Sequence, residues 1–277
     1  TIMEIQQSPY YASFIRSLGW IIETVDNSTI FIKPFPIIGG LAKIQRVTTL
    51  PSVKKLIPLL KKYGVRTIAI EPDRNVSQTS LSLWCSHIPR HIKINKDPYI
   101  PTKTIRVDLT PNEQEIFHRF SEAKRRAVRR AEKYGVTISA SDDINTFLRL
   151  KSASAGFLGF ITTSGVHKLW QILPTQHKTI LLARNEKQQV IGGILLLFWE
   201  KIAYYWIAGA LPEGKKMFAP TLLVWEALKE SKKKKCTALD FVGVWDERKP
   251  KSNHEWKGFT KFKEGFGGYE LYYPLAS

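Results

Sequence analysis

Several sets of side chains in this sequence have the types and spacing to do chemistry. Lys263 follows Phe262 in a cationic segment, Gly258-Phe-Thr-Lys-Phe-Lys-Glu-Gly265, which the run Gly265-Phe-Gly-Gly268 brings to an end. A cation in such a place can stabilise negative charge growing on an oxygen, or it can belong to the solvated face of an amphipathic helix. Asp240 lies in the apolar stretch Leu239–Val244, where a carboxylate can take a proton from an amine, pair with a cation or serve structure. Arg125, Arg126, Arg129, Arg130 and Lys133 crowd one helical stretch, with Glu122 and Glu132 to offset them. That density suits phosphate contact as well as plain solvation. Cys85, His87 and His91 are of metal-ligand type. They have no partner cluster, and Pro89 spoils helical presentation of the two histidines, so exposure or loop packing accounts for them and no metal is expected.

The chain that must position these groups has 277 residues, enough for two domains of ordinary size. A hydrophobic fraction of 43% with 12% aromatics supplies real cores, which excludes a disordered chain. A formal net charge of +18 destabilises a compact chain by self-repulsion and points to a polyanion or an anionic surface as partner, although solubility alone also favours charge. Cys85 and Cys236 are the two cysteines, so no disulfide framework or disulfide partner is expected and a reducing compartment is the default. The first fifteen residues carry no basic region leading into a long apolar core. The longest apolar run, Ile191–Trp199, is too short to span a bilayer as a helix. A cytoplasmic location is expected.

In chain order, Ser8-Pro9 starts a helix with Tyr10, Phe14 and Leu18 on one face, ended by Gly19. Strands over 20–25 and 29–32 flank the turn-forming Asp26-Asn27-Ser28, and a third covers 41–47. A helix over 52–63 with Pro58 inside it and a strand over 67–70 complete a small α/β unit. Periodicity then fades from Glu71 to Pro101. A strand at 104–109 opens the second domain. A single helix from the Thr110-Pro111 start to Tyr134 follows, with Ile116, Phe120, Ala123, Ala127 and Ala131 as its apolar stripe. Next come a strand at 136–140, helices at 142–157 and 164–173, and three strands at 178–184, 190–200 and 201–210. A helix from about Phe218, the strand at 239–244 and the cationic helix close the chain. Meander, helix, strand, helix, strand is the order of the acetyltransferase-type (GNAT) α/β fold, in which a mixed sheet parts between neighbouring strands. At such a gap, free backbone groups can hold an acyl donor while an amine enters from the other face.

These residues resemble the Fem (FemABX-like) family of peptidoglycan bridge-forming aminoacyltransferases. The resemblance rests on Phe262-Lys263 ahead of Gly265-Phe-Gly-Gly268, on Asp240-Phe-Val-Gly243, and on Tyr204–Ala210 with the helix Leu222–Ala227 behind it. It extends to the basic stretch Lys124–Gly135 and to Gln7-Ser-Pro9 through Leu18-Gly-Trp20, and so spans most of the chain in order. It implies two GNAT-like domains, 1–103 completed by a C-terminal strand at 268–277, and 104–267 carrying the transfer site. It further implies transfer of an amino acid from aminoacyl-tRNA to the stem-peptide amine of a nucleotide- or lipid-linked peptidoglycan precursor.

On that resemblance Lys263 is the cation near the acceptor stem or the oxyanion and Phe262 packs beside it, while Asp240 is a candidate to help deprotonate the amine, to pair with a cation or to serve structure. Arg16 lies where the family has a basic residue near the acceptor phosphate, though Tyr11-Ala12 departs from its Trp-Gly. Tyr204, Tyr205 and Trp206 suit packing within the sheet, while one face of their strand is expected to line the cleft, and Lys215 and Lys216 can meet a phosphate. The basic stretch from Arg125 to Lys133 would bind the tRNA backbone without reading sequence. No cofactor is expected. A coenzyme A donor needs a phosphate-cradling glycine loop, and Pro212-Glu-Gly-Lys-Lys-Met-Phe-Ala-Pro220 offers one glycine with prolines where amides are needed. The run Lys232–Lys235 suits a helix terminus or peripheral contact with an anionic membrane at its inner face. An acyltransferase with a thioester donor and a non-catalytic RNA-binding protein are the competing readings.

Overall fold

The computed structural model describes residues 3–155, 164–250 and 254–276. Contacts divide the chain into two compact units, Thr1–Lys103 with Leu271–Ser277, and Thr104–Glu270.

The first unit opens with α1 (Pro9–Ser17), where the Ser8 hydroxyl accepts from Tyr11 N and Pro9 fills the first turn. Strands β1 (Ile21–Val25) and β2 (Ser28–Lys33) form a hairpin. Its two turn residues, Asp26 and Asn27, both take positive φ, as a tight two-residue turn demands and as Asx side chains tolerate. After β3 (Gly40–Gln45), α2 (Val53–Lys62) buries Leu56 and Leu60 and accommodates Pro58. Strand β4 (Val65–Glu71) follows. The stretch without clear periodicity then contains a helix, α3 (Gln78–Ser86), capped by Ser77 and burying Leu81 and Trp84, and the short strand β5 (Lys93–Ile94). The sheet order is β1-β2-β3-β4-β5, antiparallel through β3 and parallel beyond it.

The second unit is built on β6 (Lys103–Asp108). The single helix expected after it is two, α4 (Glu113–His118) and α5 (Glu122–Lys133). Asn112 rather than Thr110 caps the first, and Ser121 caps the second by accepting from Lys124 N. Phe120 is buried at the break, while Ala123, placed on the apolar stripe by a continuous helix, is exposed. Then come β7 (Thr137–Ser141), α6 (Ile144–Ala155) and α7 (Val166–Ile172). The expected extension of α6 to residue 157 lies outside the described residues. Strands β8 (Lys178–Arg184), β9 (Val190–Trp199) and β10 (Ile202–Ala210) form an antiparallel meander. Helices α8 (Pro212–Lys216) and α9 (Ala219–Lys233) lead to β11 (Ala238–Asp240). Helix α10 (Lys257–Glu264) and β12 (Tyr269–Tyr272) end the chain.

The mixed seven-stranded sheet has the order β12-β6-β11-β10-β9-β8-β7. Its core joins α5 and α9 to the sheet through Val128, Ala131, Leu196, Leu222, Ala227 and Phe266. The last strand, β12, hydrogen-bonds at the edge of this sheet, and Leu271–Ser277 group with the first unit.

Candidate functional site

Strands β10 and β11 pair in parallel only from Ile202–Ala238 to Tyr204–Asp240, after which β10 runs on to Ala210 against β9 alone. The strand expected over 239–244 thus stops at Asp240, and side-chain chemistry explains why. Asp240 is buried; its Oδ1 accepts from Thr104 Oγ1 (2.6 Å) and from Val242 N (2.6 Å), and its Oδ2 accepts from Arg106 Nε (2.6 Å). The bond to Val242 N bends the backbone, and Val242 takes φ +66°, a left-handed conformation costly for a β-branched residue. Asp240 is therefore spent on a buried ion pair and on the turn itself. Of the roles open to this carboxylate, the contacts are those of pairing with a cation and serving structure.

The turn aims two carbonyls at one point. Lys263 Nζ donates to Phe241 O (2.9 Å) and Gly243 O (2.6 Å), and Lys263 is 9% exposed. Burial pushes its pKa down to about 8, against the opposing pull of Asp240. The Phe259 ring lies 4.9 Å from the ammonium and the Tyr205 ring 5.9 Å. An ammonium has three donors, so one N–H remains for an acceptor at the end of β11.

Phe262 packs edge-on against Phe266 (centroids 5.1 Å) and carries Lys124 Nζ 3.7 Å above its ring. Burial pushes the Lys124 pKa down to about 8. Lys124 belongs to the first turn of α5, so the basic helix and the aromatic-Lys pair meet through it. The terminating glycines make the approach feasible. Gly265 O accepts from Ser121 N (2.9 Å), and Gly267, at φ +72°, passes so near Arg119 that a Cβ there would lie 2.5 Å from its carbonyl oxygen.

The remaining expected site residues are dispersed. Tyr204 is buried; Trp206 is the extra residue of a bulge in β10, since Tyr205 opposes Leu196 and Ile207 opposes Leu195. Tyr205, between them, has its ring 5.9 Å from the Lys263 ammonium. Lys215 and Lys216 are exposed on α8, and Arg16 is exposed on α1 of the first unit. The stretch expected as a loop is helical, and Gly214 packs on β9 so tightly that a Cβ would sit 2.2 Å from Ile191 O. On α5, Arg126, Arg129, Arg130 and Lys133 are exposed, with Arg126 paired to Glu122 (2.8 Å). Arg125 is not part of that set: its guanidinium donates to His118 O (2.9 Å) and to Phe120 O, bracing the break between α4 and α5. Lys232 likewise turns inward and donates to Leu109 O (2.7 Å).

Among the described residues no three His, Cys, Asp or Glu side chains converge as metal ligands. His87 Nδ1 lies 2.8 Å from Leu83 O, and burial raises the Cys85 pKa.

The first unit has a cavity of its own, about 200 Å³, lined in part by Tyr11, Leu18, Trp20, Lys43 and Tyr99. Lys43 Nζ is 4.0 Å from the Tyr99 ring and 4.7 Å from the Trp20 ring. Glu71 holds this arrangement, accepting from Gln45 Nε2 (2.6 Å) and Ile100 N (2.9 Å). Sequence periodicity hides such a set because α1, the link after it, β2, β3 and a later loop each contribute a residue or two.

Two mixed sheets, one parting beyond a short parallel pair, are the architecture of GNAT-like domains, and solved structures agree. A tandem GNAT protein from the clavulanic acid biosynthesis pathway matches with a TM-score of 0.53, 10% identity, and 89% of this chain and 77% of that one covered. Within that class the likeness is to Fem proteins: residues 175–273 match the FemAB family, and the crystal structure of FemX superposes with a TM-score of 0.79 at 17% identity, over 98% of this chain and 91% of that one. The match and the shape together support a Fem-type, GNAT-like fold. The C-terminal domain of a putative lysylphosphatidylglycerol synthetase from Agrobacterium fabrum matches with a TM-score of 0.63, 13% identity, and 98% and 88% of the two chains covered. No curated protein matches the sequence.

Proposed function

We propose that the protein is an aminoacyltransferase, moving an amino acid from aminoacyl-tRNA to the side-chain amine of a peptidoglycan precursor stem peptide. The observation that carries the reading is the buried ammonium of Lys263, fixed by the Phe241 and Gly243 carbonyls where β10 and β11 part, with a donor to spare. The amine nitrogen attacks the ester carbonyl and a C–N bond forms. The ester C–O bond breaks, and the tRNA's terminal hydroxyl leaves with the proton the amine gives up. Lys263 supplies a preorganised donor for the oxygen that becomes negative, in surroundings that exclude water. The FemAB match over 175–273 covers both strands that form this gap and all of the seven-stranded sheet except β6 and β7, and it supports peptide-bridge chemistry over other acyl transfers.

A coenzyme A thioester fits less well. Gly214 is used for packing on Ile191, and Pro212 and Pro220 remove amide donors where a pyrophosphate would need them. On the first unit, the cavity around Lys43 offers ring faces and a cation to a nucleotide- or sugar-bearing acceptor. Arg16 and the exposed cations of α5 supply phosphate contacts. The test is incubation with a charged tRNA pool and a muropeptide precursor, with mass spectrometry for a precursor heavier by one amino-acid residue. A parallel arm with phosphatidylglycerol as acceptor addresses the lysylphosphatidylglycerol synthetase likeness. No product from the muropeptide arm would refute the proposal.

A further inference from the structure

The turn between β2 and β3 holds apolar side chains out in water. Within Pro34-Phe-Pro-Ile-Ile-Gly39, Ile37 is 90% exposed, Ile38 73% and Phe35 39%. Single exposed apolar residues are ordinary, but these share one tip, and a contiguous apolar patch marks an interaction surface. Strand register shows what surrounds it. Lys33 leaves β2 at this end, opposite Leu41, but its ammonium is held by the Gly19 carbonyl (2.8 Å), so the cations left to meet phosphate are those that follow. Gly40 lies beside Val65, which brings Lys61, Lys62 and Arg66 to the same end, and the Arg66 stem lies against Gly39. Lys93 pairs with Thr67 and follows Arg90 and His91. Within this unit the carboxylate nearest by register, Glu23, already accepts from Lys62 (3.4 Å) and from the Tyr63 hydroxyl.

We propose that this turn is a membrane-docking tip: Phe35, Ile37 and Ile38 enter the headgroup and acyl boundary of an anionic phospholipid surface, and the surrounding cations meet the lipid phosphates. Charge decides between occupants. A second copy of this chain would bring the same cations, on a chain of net charge +18, against one another. An anionic surface instead neutralises them. The contact is peripheral, since among the described residues no helix is long and apolar enough to cross a membrane. The run Lys232–Lys235, the other basic stretch considered for lipid, has no apolar tip and gives Lys232 to the carbonyl of Leu109. The inference does not depend on the transferase reading, because binding is measured without transfer.

The full chain is mixed with phosphatidylcholine vesicles containing or lacking phosphatidylglycerol, and binding is read by co-sedimentation. The wild type should bind the anionic vesicles alone, and Ile37→Ser with Ile38→Ser should weaken binding about tenfold or more while leaving thermal unfolding unchanged. Replacing Lys232–Lys235 by Gln should leave most of the binding in place. The proposal is overturned if the wild type ignores anionic vesicles, if the serine variant binds as the wild type does, or if the lysine-run variant alone loses binding. It is equally overturned if light scattering shows a dimer that the serine changes dissociate.

Discussion

Lys263 is a charge held at a cost for what it touches. Its ammonium spends two donors on Phe241 and Gly243, so replacing it removes a clamp together with the donor proposed for the oxyanion. On the proposed function, Lys263→Ala should lower the transfer rate by about 100-fold or more. Affinity for tRNA, measured by filter binding, should hardly change, because Lys263 is buried and the cations proposed to meet the tRNA phosphates are exposed ones on α5. Unchanged transfer would end the assignment. The buried charge also leaves a mark on stability. The pKa is about 10.4 in an unfolded chain and about 8 here. Between those values the unfolded chain binds the extra proton, so this group makes stability rise with pH. Below about pH 8 its cost is present in full. In urea unfolding at pH 8 and pH 10, the wild type should gain stability relative to Lys263→Met; a constant difference would show that the ammonium is not desolvated.

At the scale of elements, the sequence told most where periodicity alone decides. The meander β8–β10 is a run of apolar, β-rich segments between turn residues, and it is legible within a residue or two at most of its ends. Three features escaped for physical reasons. Phe120 continues a helical stripe, so the break before Ser121 shows only in the capping residue and in Arg125 folding back. The early end of β11 depends on a side-chain bond from Asp240 to Val242 N, which no pattern of hydrophobicity encodes. Prolines between Glu71 and Pro101 mask α3, whose signal is the Ser77 cap. Of the site, the aromatic-Lys pair was visible through family resemblance. Its partners Lys124, Tyr205 and the two carbonyls are brought in by tertiary packing and were not. The short helix α8 supplies a prediction of its own. Gly214→Ala forces a Cβ onto Ile191 O, backbone that cannot yield cheaply, and should cost about 1–3 kcal/mol in chemical denaturation. A phosphate-cradling glycine would behave differently, losing donor affinity at unchanged stability.

For the molecule as a whole, the net charge of +18 sets what association can look like. A tRNA offers phosphates along its length, so each cation that neutralises one releases a counterion and adds to the salt dependence of binding. The structure limits which residues can take part: Arg125 and Lys232 are engaged with backbone, while Arg129, Arg130 and Lys133 stand exposed on α5. Replacing those three by Gln should reduce the slope of log affinity against log salt by roughly 2 to 3. It should weaken binding about equally for tRNAs of different sequence, because backbone contacts carry no sequence information. The same replacement should leave vesicle binding intact, since the apolar tip and its cations lie on the first unit. If the salt slope stayed where it was, polyanion binding would have to be assigned to other cations, and α5 would be a solvated helix whose charge serves solubility.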